Sequence, residues 1–297
     1  MTTVLLLLLA LSAAQPPATP QTAVNELLAV DRNFAAVGAK LDAVAAISAM
    51  FADDVAIMPV PPEGFARGRV KAIEALGANP VLAKARAEWT PVRGGISADG
   101  QHGFTFGYMT LALPDGTRTP AKYLSYWIRQ PEGWRVVVYK RNRSAELTGP
   151  AGAMPPALPP QMVAPTSDAA AIAKYRDSLD AAERAFSDEA QRIGIGPAFA
   201  KHGSADAVNL GPQTVARVIV GAEAIGRAIG GDGPPSGSPV TWAPDRVIVA
   251  SSGDLGVTLG FLRVNQPPAG GGQPPAIPFI TVWQRASPAD PWRYIAE

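Results

Sequence analysis

One pattern of β-rich runs occurs twice in this chain of 297 residues, and the repetition limits its possible folds more than any other feature. The first pass reads GFTFGYMTLALPDG from Gly103 and then KYLSYWIRQPEGWRVVVYK up to Lys140. Aromatic, β-branched and threonine residues fill the runs. Pro114-Asp115-Gly116 and Pro131-Glu132-Gly133 separate them, as an antiparallel meander requires. The second pass reads GVTLGFLRV from Gly256 and PFITVWQRASPADPWRYIAE from Pro278. Trp89 and Trp242, Pro91 and Pro244, Gly103 and Gly256, and Gly107 and Gly260 all stand 153 residues apart. After a longer Gly- and Pro-rich hairpin loop in the second pass, residues 266–278, the offset becomes 156 for Trp127 and Trp283 and 158 for Trp134 and Trp292. Two copies are too few for a solenoid and read as a tandem pair of domains.

The segments around the meanders complete each copy. From Ala23 to Phe51, the residues Leu27, Val30, Phe34, Val37, Leu41, Val44, Ile47 and Phe51 recur at helical steps, and Gly38 breaks the pattern into two pieces. Asp53-Asp54 ends this stretch, VAIMPV reads as a short strand, and residues 71–76 read as a third helix ending at Gly77. Trp89-Thr90-Pro91-Val92 opens a strand that turns at Ser97-Ala98-Asp99-Gly100 into the meander. Helices followed by a curved antiparallel sheet give an α+β fold. Residues 148–167 are Pro-rich and read as an extended linker. Asp168 begins the second pass, with Tyr175, Leu179, Ala182 and Phe186 on one helical face. The expected organisation is a signal segment (1–14), a leader (15–22), a first domain (23–147), the linker (148–167) and a degenerate second domain (168–297).

Composition removes several function classes. There is no cysteine, so disulfides, thiolate metal sites and cysteine nucleophiles are excluded, and two histidines cannot supply a histidine-rich metal centre. A net charge of +1 gives no broad electrostatic footprint for nucleic acid. No P-loop, GxGxxG, HExxH or Gly-x-Ser-x-Gly motif is present, and the GGGQ stretch at 270–273 lacks a following helix. Neither a metal nor a cofactor is therefore expected. The apolar run from Val4 to Leu11, followed by Ser12-Ala13-Ala14, resembles a secretory signal with its cleavage site, although no Lys or Arg precedes it. It is far shorter than the roughly 20 apolar residues of a membrane span. The expectation is export to the periplasm or beyond, a mature chain beginning at Gln15, and no stable membrane insertion after cleavage.

The motifs occur in a recognisable order: helix, Phe-Ala-Asp-Asp with a short strand, Gly-Arg before a helix, Trp-x-Pro, Ser-x-Asp-Gly, Phe-Gly-Tyr, Tyr-x-x-x-Trp and Gly-Trp-Arg-Val. This order resembles the SnoaL-like, ketosteroid-isomerase-like group of the nuclear transport factor 2-like superfamily, and within it the branch called domain of unknown function 4440. The resemblance covers Ala23 to about Arg143 and, more weakly, Asp168 to Glu297. It implies a cone formed by a bent sheet wrapped around helices, with a pocket inside. It implies no particular reaction.

Catalytic members of that group move a proton with a carboxylate, histidine or tyrosine inside the cone. Asp53 and Asp54 are adjacent and point to opposite faces of an extended segment, so they cannot form a facing acid pair, which leaves Asp54 as a weak general-base candidate beside its reading as a turn residue. His102, between Gly100 and Gly103 in a turn, and His202 in KHGS read as solvated loop residues. Tyr123, Ser125 and Trp127 alternate and share a strand face, with Tyr108 on the preceding strand and Tyr139 on the following one. A buried tyrosine hydroxyl can donate to a carbonyl or oxyanion, so Tyr108, Tyr123, Trp127 and Tyr139 are the candidate pocket, and Tyr108 and Tyr123 the candidate catalytic residues with Asp54. The bland alternative makes them core aromatics. Tyr108, Tyr123 and Tyr139 fall opposite Phe261, Phe279 and Glu297, so the second copy is expected to have lost its polar handles. Arg67, Arg69 and Lys71 read as a solvated basic face at the third helix. The expected function is binding of a small apolar molecule in the first cone. The alternatives are a cofactor-free isomerase or dehydratase using that pocket, and a structural module whose sheet pairs with a second sheet, within the chain or in a homodimer.

Overall fold

The computed structural model describes residues 19–53, 57–60, 64–146, 152–231, 237–266 and 276–297. The proposed signal, Asp54 and the GGGQ stretch lie outside them. The N-terminal half contains α1 (Pro20–Gly38), α2 (Ala43–Ser48), β1 (Ile57–Val60), β2 (Gly64–Arg67), α3 (Arg69–Ala78), β3 (Arg86–Ile96), β4 (His102–Ala112), β5 (Arg118–Gln130) and β6 (Gly133–Arg143). The C-terminal half contains α4 (Ala169–Ile193), α5 (Ile195–His202), β7 (Gly203–Asn209), β8 (Ile219–Val220), α6 (Ala222–Gly230), β9 (Val240–Val249), β10 (Leu255–Val264), β11 (Ile277–Gln284) and β12 (Arg293–Ala296). The fold is α+β. Asp168 caps α4 by accepting from the amides of Ala170 and Ala171, and Asp42 caps α2 through Ala45.

The strand orders are β2-β1-β6-β5-β4-β3 and β8-β7-β12-β11-β10-β9, the same sequence of pairings in each half. Both sheets carry a bulge at the same place, next to Pro91 opposite Gly107 and next to Pro244 opposite Gly260. These glycines are required by backbone approach. A Cβ on Gly107 would stand 2.0 Å from the Thr90 carbonyl oxygen, and one on Gly260 would stand 2.1 Å from that of Ala243. The bulge turns the strand and strengthens the local twist, so each sheet bends around its helices.

One face of each sheet packs on that half's own helices. Val24, Leu27, Ile47, Trp89, Met109, Tyr123, Trp127 and Tyr139 belong to the first core, and Leu179, Phe186, Phe199, Trp242, Trp283 and Tyr294 to the second. The other faces meet each other, burying Phe104, Phe106, Leu124, Tyr126 and Val138 against Val257, Leu259, Ile280, Val282 and Ile295. Polar contacts lock this sheet-to-sheet interface. Arg93 is buried and pairs with Asp206. The two β-hairpin turns grip each other: the Ala98 amide donates to Asp254 at 2.9 Å, and the Ser251 hydroxyl and Ser252 amide donate to Asp99 at 2.7 and 3.1 Å. The buried Lys122 ammonium donates to the Val215 carbonyl at 2.7 Å.

Part of the Pro-rich connection is docked. The amides of Met154, Ala157 and Val163 donate to the carbonyls of Val92, Gly94 and Ala98, so residues 154–163 run along the open edge of β3 and cover it.

Candidate functional site

Each half buries one carboxylate of its first helix under the sheet, and neither was legible as a site from the sequence. Asp31 lies one turn after Leu27 on the apolar stripe of α1, and Glu183 lies one turn after Leu179 on α4; all four side chains are buried. The side chains reach the sheet because it carries glycine where the helix crosses: a Cβ on Gly103 would stand 2.5 Å from Leu27 Cδ2, and one on Gly256 would stand 2.4 Å from Leu179 Cδ2.

The surroundings of the two acids correspond strand by strand. Asp31 accepts from Trp89 Nε1 at 2.8 Å and from the Tyr123 hydroxyl at 2.9 Å. Glu183 accepts from Trp242 Nε1 at 2.6 Å, from Trp283 Nε1 at 2.9 Å and from the Thr258 hydroxyl at 2.5 Å. In the first half, Trp127 donates to Thr105 at 2.9 Å instead of to the carboxylate. Aspartate is one methylene shorter than glutamate, and the Tyr123 hydroxyl fills the gap. Glutamate reaches Thr258 and Trp283 directly, and Phe279 then suffices in place of the tyrosine. Burial raises both carboxyl pKa values, Glu183 to about 7, against the opposing pull of Thr105, Trp89 and Tyr123 on Asp31 and of Thr258, Trp242 and Trp283 on Glu183.

The other predicted residues separate. Tyr108 stands on the opposite face of its sheet from Tyr123, half-buried at the interface, where its hydroxyl accepts from the Val218 amide at 3.3 Å. It does not join the others because β4 turns Phe104, Phe106 and Tyr108 outward and Thr105, Met109 and Leu111 inward. Tyr123 and Trp127 are wholly buried. Tyr139 is 1% exposed and lines a cavity of about 250 Å³ together with Met58, Val60, Leu76 and Leu82. Among the described residues its hydroxyl has no partner, and neither does the hydroxyl of Ser125, its register partner on β5. Burial pushes the Tyr139 pKa up to about 12, so the phenol remains a donor at neutral pH.

The histidines are not the solvated loop residues expected. His102 opens β4, its Nδ1 lies 3.1 Å from the Tyr126 hydroxyl, and burial lowers its pKa to about 4. His202 ends α5 with Nε2 3.2 Å from Glu189. A turn signal places a residue in sequence but says nothing of what packs over it, and here each ring meets another element. Arg69 pairs with Asp53 at 2.7 Å and Lys71 with Glu74 at 2.7 Å, both on the surface. Among the described residues, no group of acidic and histidine side chains has the spacing of a metal site, and no helix is long and apolar enough to cross a membrane.

A larger hollow, of about 420 Å³, lies between the helices and sheet of the second half on one side and Pro59, Lys140, Arg141 and Asn142 of the first half on the other. Trp242, Phe279, Phe199 and Leu262 form its apolar wall, and Glu297 occupies the position that Tyr139 holds in the first half. The Glu297 carboxylate accepts from Asn209 at 2.9 Å and from the Thr281 hydroxyl at 3.2 Å. The expected loss of polar handles is thus a replacement: the unpartnered Ser125 and Tyr139 hydroxyls correspond to the bonded Thr281–Glu297 pair. A further groove of about 740 Å³ lies between α5 and α6, bordered by Lys201, Glu223 and Arg227 and away from the buried acids.

No family model and no curated protein matches the chain. Among solved structures, an NTF2-like protein with a cystatin-like fold from Novosphingobium aromaticivorans is similar at 16% identity, over 39% of this chain and 79% of that one, with a TM-score of 0.31. An NTF2-like protein of unknown function from Shewanella oneidensis is similar at 9% identity, over 39% and 96%, with a TM-score of 0.32. An epoxide hydrolase/cyclase-like enzyme of pyran ring formation in the polyether salinomycin is similar at 18% identity, over 40% and 92%, with a TM-score of 0.31.

Proposed function

We propose that this chain is an exported small-molecule-binding protein, made of two copies of one domain (23–147 and 168–297) that pair sheet to sheet, with a ligand held in the cone of the first copy. The observation that carries the binding reading is the Tyr139 hydroxyl, buried and, among the described residues, unpartnered at a cavity lined by Met58, Leu76 and Leu82 together with Asn79 and Arg141. An unsatisfied buried hydroxyl costs about 1–3 kcal/mol, a cost that a ligand carbonyl or hydroxyl would remove. At about 250 Å³ the cavity is below the usual range of roughly 300–1,000 Å³ for drug-sized ligands, so it suits a small ring or short branched chain with one acceptor. The acid–base enzyme reading has less support. Both oxygens of Asp31 are already engaged by Trp89 and Tyr123, and Asp31 is not among the residues lining the cavity. Export rests on the run from Val4 to Leu11 with Ser12-Ala13-Ala14, and is checked by sequencing the N-terminus of the mature protein, expected at Gln15.

Cyclohexanone, a small ring with one carbonyl acceptor, serves as the probe for the cavity. Saturation-transfer NMR should show it bound to the intact protein, and Tyr139→Phe should weaken binding about tenfold, as loss of one buried hydrogen bond predicts. Equal binding to both forms would remove Tyr139 from the site.

A further inference from the structure

The second cavity is closed by the first half. Lys140, Arg141 and Asn142 at the end of β6, with Pro59 of β1, line it opposite Trp242 and Phe279. Lys140 pairs in register with Leu124, whose side chain belongs to the interface between the halves, so β6 directs Lys140 out of its own cone and toward the other. Glu297 is the acidic residue of the cavity lining, and its two oxygens are taken by Asn209 and Thr281. The Lys140 ammonium feels the Glu297 charge without a hydrogen bond to it, and burial lowers its pKa. Arg141 borders the cavity at the end of β6, but it pairs in register with Tyr123 and so shares the inward face of Tyr139.

We infer that the cavity between the halves is a second ligand site, taking a small carboxylic acid with an apolar, ring-bearing body, whose carboxylate meets Lys140 while its body lies against Trp242 and Phe279. The volume of about 420 Å³ falls inside the range of ordinary small-molecule sites. Among the described residues the Lys140 ammonium makes no hydrogen bond, and an anion there would satisfy a donor that the chain itself leaves open. The aromatic wall supplies the non-directional part of the binding. The site exists only while the halves are docked, because the Lys140 side chain belongs to one half and the apolar sleeve mainly to the other. It is separate from the cavity under Tyr139, although Arg141 and Pro59 border both.

The test uses the intact chain and three probes of one shape: 4-phenylbutyrate, 4-phenylbutyramide and 4-phenylbutylamine. Isothermal titration should find the acid bound with one-to-one stoichiometry and about tenfold more tightly than the amide or the amine. Lys140→Met should erase that preference, Lys140→Arg should keep it, and Leu262→Trp should block binding by filling the sleeve. Tyr139→Phe should leave binding of the acid unchanged, which keeps this result independent of the first cavity. Thermal unfolding of each variant separates loss of binding from loss of fold, and Lys140→Gln replaces Lys140→Met if the latter does not fold. Tighter binding of the amine would show that Glu297 sets the charge preference and would overturn the assignment. So would an undiminished preference in Lys140→Met, or the absence of binding by all three probes at millimolar concentration.

Discussion

The two halves solve one problem with different side chains. Each must bury a carboxylate from its first helix beneath a bent sheet, and each presents a tryptophan from the equivalent strand to it, Trp89 or Trp242. The first half uses a short acid completed by a tyrosine hydroxyl, Asp31 with Tyr123, and the second uses a longer acid beside a phenylalanine, Glu183 with Phe279. The difference teaches that Tyr123 and Phe279 are set by the length of the acid they cover. It also teaches that a polar group missing from one copy need not mark a site in the other. The contrast one strand further along is of another kind: among the described residues the Tyr139 hydroxyl has no partner, whereas the Glu297 carboxylate has two.

The largest effect should come from removing the longer acid. Glu183→Ala strands three buried donors, those of Trp242, Trp283 and Thr258, and should cost about 3–6 kcal/mol in urea unfolding. Asp31→Ala strands the direct donors Trp89 and Tyr123, while Thr105 keeps Trp127 as a partner, and should cost less. A larger loss from Asp31→Ala would break the comparison.

The Glu183 carboxyl should also make stability depend on pH. Its pKa rises from 4.5 to about 7 in the folded chain, so the folded state keeps a proton that the unfolded state has released. Stability should therefore fall as pH rises from about 4.5 through 7, by about 3 kcal/mol from this group. Unfolding of Glu183→Gln across that window should show a flatter profile. The Asp31 pKa is raised too, so its contribution has the same sign and leaves a residual slope. A profile identical to that of the unsubstituted protein would remove Glu183 as the cause.

The bulges should respond alike. Gly107→Ala and Gly260→Ala each place a methyl group on a backbone carbonyl, and both should lose about 2 kcal/mol. A loss at one position only would show that the halves bend for different reasons.

Tyr123→Phe should cost about 1–2 kcal/mol by leaving an Asp31 oxygen without its donor. Adding Asp31→Glu to it reproduces the arrangement of the second half and should recover most of that loss. If the double variant is no better than the single one, acid length does not explain the pair.

How much of this was legible from residue order follows the range of the forces involved. Local structure was determined by the sequence itself. Alternating apolar residues and Pro-Asp-Gly or Pro-Glu-Gly turns set β4, β5 and β6, and Gly38 ended α1, because each of these acts within a few residues. Asp31 and Glu183 carried one faint signal, an acid on an apolar helical stripe, but the donors that tolerate them come from residues 58 to 100 positions away. Alternation along β5 correctly grouped Tyr123, Ser125 and Trp127, yet the phase of β4 relative to it decided that Tyr108 faces the other sheet. Only the packing of one sheet on the other turned Lys140 and Arg141 into a wall of the second cavity, and only strand pairing placed Glu297 where the first half has Tyr139. Spacing along a chain determines which face a side chain takes, whereas what that face meets depends on contacts between distant segments.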